Sequence, residues 1–114
     1  MRKKEWIPEL LKVFEMYKDR PFKYGITDCC LFTADCCKAI CSIDFMEKYR
    51  GVYKSKKEAV ALIQSINFIG EIDKHFTQKS LLHIQRGDLV AYNNTLSKDI
   101  TLAIYFNGYW ASLS

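Results

Sequence analysis

Apolar residues recur at helical spacing along the first part of the chain. Trp6, Leu10, Phe14 and Tyr17 fall three or four residues apart, Ile7 and Leu11 widen the stripe, and charged residues occupy most of the rest. That period predicts an amphipathic helix over residues 5–17, with Pro8 tolerated in a first turn whose amides lack helical partners anyway. Asp19, Arg20 and Pro21 end it, because a residue before proline is pushed out of the helical region. A loop from Pro21 to Thr27 leads into Cys29–Cys41, a run that is apolar on most sides. Thr27 or Asp28 can accept from the free amides at its start, and a helix with so little polar surface must be central. Asp44 to Tyr53 carries no period and reads as irregular. Ser55 followed by Glu58 is a capping box before a third helix carrying Ala59, Val60, Leu62, Ile63 and Ile66. Gly70 is expected to open a short helical segment with Ile72 and Phe76 on its buried side.

From Gly87 the pattern changes. Leu89–Tyr92 and Ile100–Phe106 are aliphatic and aromatic runs separated by the turn-prone Asn93, Asn94, Ser97 and Asp99, and both read as strands. Asn107-Gly108 is a two-residue hairpin signal that returns the chain through Tyr109 to Leu113. Helices first and an antiparallel sheet second is an α+β arrangement, with N-terminal helices packed on a small C-terminal sheet. Its 114 residues fit a single domain, 1–114, since two cores of half that size would each bury too little apolar surface. A hydrophobic content of 49% with only five Gly and two Pro argues against disorder.

Charge and cysteine usage narrow the class. The formal net charge is +4, but the lysines and arginines are spread over Arg2–Lys4, Lys18–Lys23, Lys48–Lys57 and Lys74–Lys79, without the aromatic platforms or groove-reading helix of a nucleic-acid binder. They read as solvated faces. Glu5, Pro8 and Glu9 interrupt what would be the apolar region of a secretory signal, and no run reaches the roughly 18 apolar residues of a membrane helix. Cys29, Cys30, Cys36, Cys37 and Cys41 then read as free thiols in a reducing, cytoplasmic setting.

The stretch with most chemistry in it is Pro21-Phe22-Lys23-Tyr24-Gly25-Ile26-Thr27-Asp28-Cys29-Cys30. A thiolate at a helix N-terminus faces free amides and the positive end of the helix dipole, which lower its pKa and raise its reactivity. Cys29 is placed for this, with Asp28 as cap and orienter, and its own amide and a neighbour could stabilise an oxyanion. The competing reading is a structural thiol, which suits Cys30, Cys36, Cys37 and Cys41 better.

This stretch resembles the nucleophile motif of the NlpC cysteine peptidase superfamily, in which a Pro-aromatic pair, an aromatic-Gly pair and Asp-Cys open the central helix of a papain-like core. Arg86-Gly87-Asp88-Leu89-Val90 is similar to that superfamily's Gly-Asp-hydrophobic strand, and Leu102-Ala103-Ile104-Tyr105 to the strand that begins with its catalytic His. Within the superfamily the chain resembles small phage and prophage proteins of unknown function, and Tyr49-Arg50-Gly51-Val52-Tyr53 matches their Tyr-x-Gly-x-Tyr-like segment. The resemblance implies a papain-like fold. It also exposes departures: Thr101 holds the position of the general-base His, Phe22 that of a frequent Tyr, Cys30-Leu31 that of the usual Ser-Gly, and Ser112 falls near the third polar member. A threonine hydroxyl cannot take a proton from a thiol near neutral pH.

His83 and His75 are the remaining base candidates, because a cysteine and its base need spatial rather than sequence proximity. Cys37 and Cys41 could form one ligand pair of a zinc site, but a second pair would need His75, His83 or Asp88, so neither metal nor cofactor is expected. Two functions follow. One is a phage or mobile-element accessory protein, degenerate as a hydrolase, that binds a phage or host protein or acts in assembly; Tyr105, Phe106, Tyr109 and Trp110 on the terminal hairpin could form an exposed edge for pairing, although a sheet core is the more common use of such residues. The other is an active cysteine hydrolase, an amidase or peptidase acting on an amide such as those of peptidoglycan, with Cys29 as nucleophile. Neither a nucleic acid nor a membrane is expected as a partner, and the pattern leaves the oligomeric state open.

Overall fold

The structure, a computed structural model, describes residues 2–23, 25–66, 68–76, 84–93, 100–106 and 108–111. For Cys29 and Thr101 the description extends to the backbone. Among the expected features, Tyr24, His83, Asn107, Ser112 and the turn over 94–99 lie outside the described residues.

The periodicity becomes four helices and three strands among the described residues: α1 (Trp6–Lys18), α2 (Cys29–Cys41), α3 (Lys56–Ser65), α4 (Phe68–Asp73), β1 (Leu89–Asn93), β2 (Ile100–Phe106) and β3 (Tyr109–Ala111). An α+β class follows. In α1 the stripe faces inward through Leu10 and Tyr17, while Leu11, expected to widen it, is 47% exposed. The buried arc is narrower than the apolar composition of the helix. At α3, Ser55 accepts from the Glu58 amide (3.2 Å), and the Glu58 carboxylate returns to the Ser55 hydroxyl (3.4 Å). Helix α4 begins at Phe68, two residues before the expected Gly70. Gly70 sits inside its ladder, its carbonyl accepting from Lys74 N–H (3.1 Å), and burial of Ile72 offsets the roughly 1 kcal/mol that an interior glycine costs.

The strands pair antiparallel in the order β1-β2-β3, with Val90 opposite Ala103 and Tyr105 opposite Trp110. Gly108, at φ +83°, takes the left-handed conformation that a tight hairpin requires. Helix α2 is the hub, packed against α1 and against β2. Tyr17 meets Phe32 edge-on at 5.1 Å near one end of the α1–α2 pair, and the Lys3 amide reaches the Ile40 carbonyl (2.6 Å) at the other, so the two helices run antiparallel. Leu10, Leu31, Cys36, Leu102 and Ile104 are at most 1% exposed and form the centre, each large aliphatic contributing about 1.5–3 kcal/mol by leaving water. The expected central position of the cysteine helix is met: Cys30, Cys36 and Cys37 are buried thiols.

A clasp ties the start of the chain to the sheet. Arg2 pairs with Asp88 (2.7 Å), donates to the Arg86 carbonyl and lies over the Trp6 ring (4.7 Å). Gly87, at φ +84°, passes so close that an added Cβ would stand 2.9 Å from that ring. No helix among the described residues is long and apolar enough to cross a membrane.

Candidate functional site

The site is built around Asp28. Its backbone is extended (φ −99°, ψ 178°), the conformation of an N-cap, and one carboxylate oxygen accepts from the Leu31 amide (2.9 Å). The other accepts from the Gly25 amide (2.8 Å) and from the Tyr53 hydroxyl (2.6 Å). With 2% exposure and three donors, the carboxylate is satisfied without water. Of the two cap candidates, Thr27 is used otherwise: its hydroxyl donates to the Pro21 carbonyl (2.6 Å) and closes the preceding loop, while its backbone bridges Lys23. Cys29 is the first residue of α2, directly after this cap.

The turn that delivers the chain to Asp28 accepts only glycine at position 25. Gly25 lies at φ +80°, and a Cβ there would fall 2.0 Å from the Tyr53 carbonyl oxygen. Its own carbonyl accepts from the Gly51 amide (3.1 Å). The turn from Gly25 to Asp28 and the segment from Tyr49 to Tyr53, far apart in sequence, are therefore in direct contact.

A second polar cluster stands farther along α2. Arg50 places Nη2 at 2.6 Å from Asp35 and Nε at 2.9 Å from Asp44, and Tyr17 donates its hydroxyl to Asp35. Burial works against the guanidinium charge, but the hydrogen bond to Asp44 and the charges of Asp35 and Asp44 hold the Arg50 pKa above its ordinary value. Burial first, then the bond to Asp35, pushes the Tyr17 phenol up. Sequence reasoning missed this cluster. Its signal was Asp35, the one charged residue in the mostly apolar run Leu31-Phe32-Thr33-Ala34-Asp35-Cys36-Cys37, which demands a partner once the helix is central.

The other sequence candidates separate. His75 is exposed in the turn after α4; its amide donates to the Ile72 carbonyl (3.0 Å) and its ring meets Phe76 edge-on, so its described contacts stay within that turn. The Cys41 thiol donates to the Cys37 carbonyl (3.2 Å). Cys36 and Cys37 are driven well above the ordinary thiol range, mainly by burial, and then by Cys37 and Asp35 for the first and by Cys41 and Asp44 for the second. No group of three His, Cys, Asp or Glu among the described residues is arranged to hold a metal ion.

Chemically, the arrangement offers a rigid turn with a cysteine on the first residue of a helix, and a neighbouring carboxylate committed to holding that turn. No curated protein and no solved structure matches the chain. One family model does, over residues 1–113, and the chain therefore belongs to the family described as a domain of unknown function (DUF6950).

Proposed function

We propose that the chain is an NlpC-like, papain-type scaffold of phage or mobile-element origin that acts by binding a protein partner in assembly rather than by turnover. The observation that carries this reading is strand β3, the last in the strand order of the described residues. It pairs with β2 on one side, and it presents Tyr109 at 76% and Trp110 at 48% exposure. Large exposed aromatics supply an apolar surface on which a protein partner can dock. The aromatics of the hairpin divide: Tyr105 and Phe106 are partly buried in the sheet, and the pair on β3 faces outward. The commitment of Asp28 to three structural donors agrees with this reading, since that carboxylate is engaged in holding the turn. In the likeness to the NlpC superfamily, Thr101 stands where the base would be.

Mass measurement by light scattering over a concentration series, with binding assays against candidate phage or host structural proteins, tests the proposal. The Tyr109→Lys/Trp110→Lys double variant is expected to keep its unfolding temperature and lose association. A strictly monomeric protein whose binding is indifferent to that change would refute it.

The second reading, a cysteine hydrolase of the amidase or peptidase type with Cys29 as nucleophile, is favoured by the placement of Cys29 at the first residue of α2. Site-resolved labelling at neutral pH with a thiol-selective reagent tests it. This reading requires Cys29 to react faster than an ordinary exposed cysteine, and amide cleavage that disappears in Cys29→Ser.

A further inference from the structure

We infer that Arg86, with the aromatic rings beside it and Tyr109, forms a docking surface for an acidic segment of a protein partner. The inference rests on the reading of the chain as a partner-binding scaffold and names the chemistry that the partner brings. Arg86 is exposed, and its guanidinium stands 5.9 Å from the Trp6 ring of α1 and 5.9 Å from the Phe106 ring of β2, both partly buried. Its backbone is pinned. The Asp88 amide donates to the Gln85 carbonyl (3.0 Å) and the Asp88 carboxylate accepts from the Gln85 amide (2.7 Å), which closes the turn around Arg86. The Gly87 amide donates to the Tyr105 carbonyl (2.6 Å), and the Arg86 carbonyl accepts from Arg2. A surface arginine ordinarily loses rotamer freedom when it binds, and one already held against two rings on a fixed turn loses less.

Charge names the occupant. Arg2 is paired with Asp88 at 2.7 Å and Arg50 with Asp35 and Asp44, whereas no acidic side chain pairs with Arg86 among the described residues. A guanidinium over a ring face keeps its N–H edge for a carboxylate, which it can grip through two parallel hydrogen bonds. Lys3 and Lys4, exposed just before Trp6 and likewise without an ion pair among the described residues, add to the positive potential. The apolar part of the surface comes from the sheet. Phe106 and Tyr109 are register partners and project from the same face, with Cβ atoms about 4.5–5.5 Å apart. Tyr109 is 76% exposed, so the surface leads from a cation through Phe106 to an open phenol. Acidic side chains with apolar neighbours match that order. A nucleic-acid backbone matches it less well, because Glu5 and Asp88 stand among these cations and a polyphosphate needs a run of unopposed ones.

The probe is a fluorescein-labelled peptide with blocked ends, Glu-Glu-Leu-Glu-Phe-Glu, titrated with the full chain and read by fluorescence anisotropy. Its counterpart with glutamine for each glutamate and a single-stranded oligothymidylate are the comparisons. The acidic peptide is expected to bind, more weakly at roughly 0.15 M salt than at roughly 0.02 M, and the glutamine peptide to fail. Arg86→Ala should weaken binding about fivefold, the upper end for an exposed pair, and Arg86→Lys should recover part of that loss because an ammonium cannot make the bidentate contact. Tyr109→Ala should weaken it as well. Arg20→Ala, which removes an equal charge from over the Tyr17 ring (5.7 Å), should bind as the parent does. Should Arg86→Ala fail to fold, Arg86→Gln carries the comparison. An acidic peptide that does not bind, a glutamine peptide that binds equally well, or equal effects of Arg86→Ala and Arg20→Ala would overturn the inference. Tighter binding of oligothymidylate than of the peptide would overturn it too, in favour of a nucleic acid. Association with a phage or host protein that depends on Tyr109 and Trp110 but not on Arg86 would keep the scaffold reading and remove this surface from it.

Discussion

Asp28 joins three parts of the chain through one side chain. It closes the loop at Gly25, starts α2 at Leu31 and receives Tyr53 from 25 positions later in the chain. Replacing it with alanine strands a hydroxyl and two amides, so Asp28→Ala should lower stability by about 3 kcal/mol, or roughly 10 °C in unfolding temperature, readable by thermal circular dichroism. The glycines offer a sharper contrast. Gly25 and Gly51 both have positive φ, +80° and +74°, but only Gly25 has a backbone oxygen where Cβ would go. Gly51→Ala should cost about 1 kcal/mol from conformation alone, whereas Gly25→Ala should cost several times that, because the Tyr53 carbonyl in its way is backbone and not the end of a flexible side chain. Equal urea midpoints for the two variants would refute the close approach.

At the scale of elements, α2 explains why a helix so rich in thiols is stable. Cys36 and Cys37 serve as small apolar residues, and their burial keeps them protonated. In the unfolded chain they ionise near the ordinary thiol range, and in the folded one only at higher pH. Between those limits the unfolded state binds fewer protons, so stability must fall as pH rises, by about 1.4 kcal/mol per pH unit for each thiol once pH passes roughly 8.5. Below that range their contribution is fully present. Urea denaturation at pH 7, 9 and 10 measures the slope, and Cys36→Ala/Cys37→Ala should flatten it. Neither thiol should react with an alkylating reagent at neutral pH while the protein is folded.

Over the whole molecule, stability depends on contacts between segments far apart in sequence. Arg2 reaches Asp88 across 86 positions, and its guanidinium covers Trp6 while Arg86 approaches the same ring (5.9 Å). A partly exposed ion pair of this kind is worth little alone, and the cation over an aromatic face adds to it. Arg2→Ala is expected to cost about 1 kcal/mol and to shift tryptophan emission, and an unchanged spectrum would argue that the clasp is not formed in solution. The clasp also brings the first residues of the chain to the entrance of β1. The sheet is thereby braced at its β1 side, and β3, at the other end of the strand order of the described residues, exposes Tyr109 and Trp110.

What the order of residues determined by itself was local. The three-and-four spacing from Trp6 to Tyr17, the Ser55–Glu58 cap and the Gly108 hairpin are decided by neighbours within a few positions, and helix and strand identity with them. Asp28 as a cap before Cys29 was legible for the same reason, since an N-cap answers amides two or three residues away. The partners were not legible. That Tyr53 would find Asp28, Arg50 both Asp35 and Asp44, and Tyr17 also Asp35 depends on how α1 and the 44–53 segment fold over α2, and periodicity carries no information about which charges meet in space. Nor could spacing say that Leu11 would face water or which of the hairpin's aromatics would be exposed, because exposure is a property of what is packed alongside. Chemistry that acts within one turn of backbone could be read from the chain, and chemistry that needs distant side chains at hydrogen-bond range was decided by tertiary packing alone.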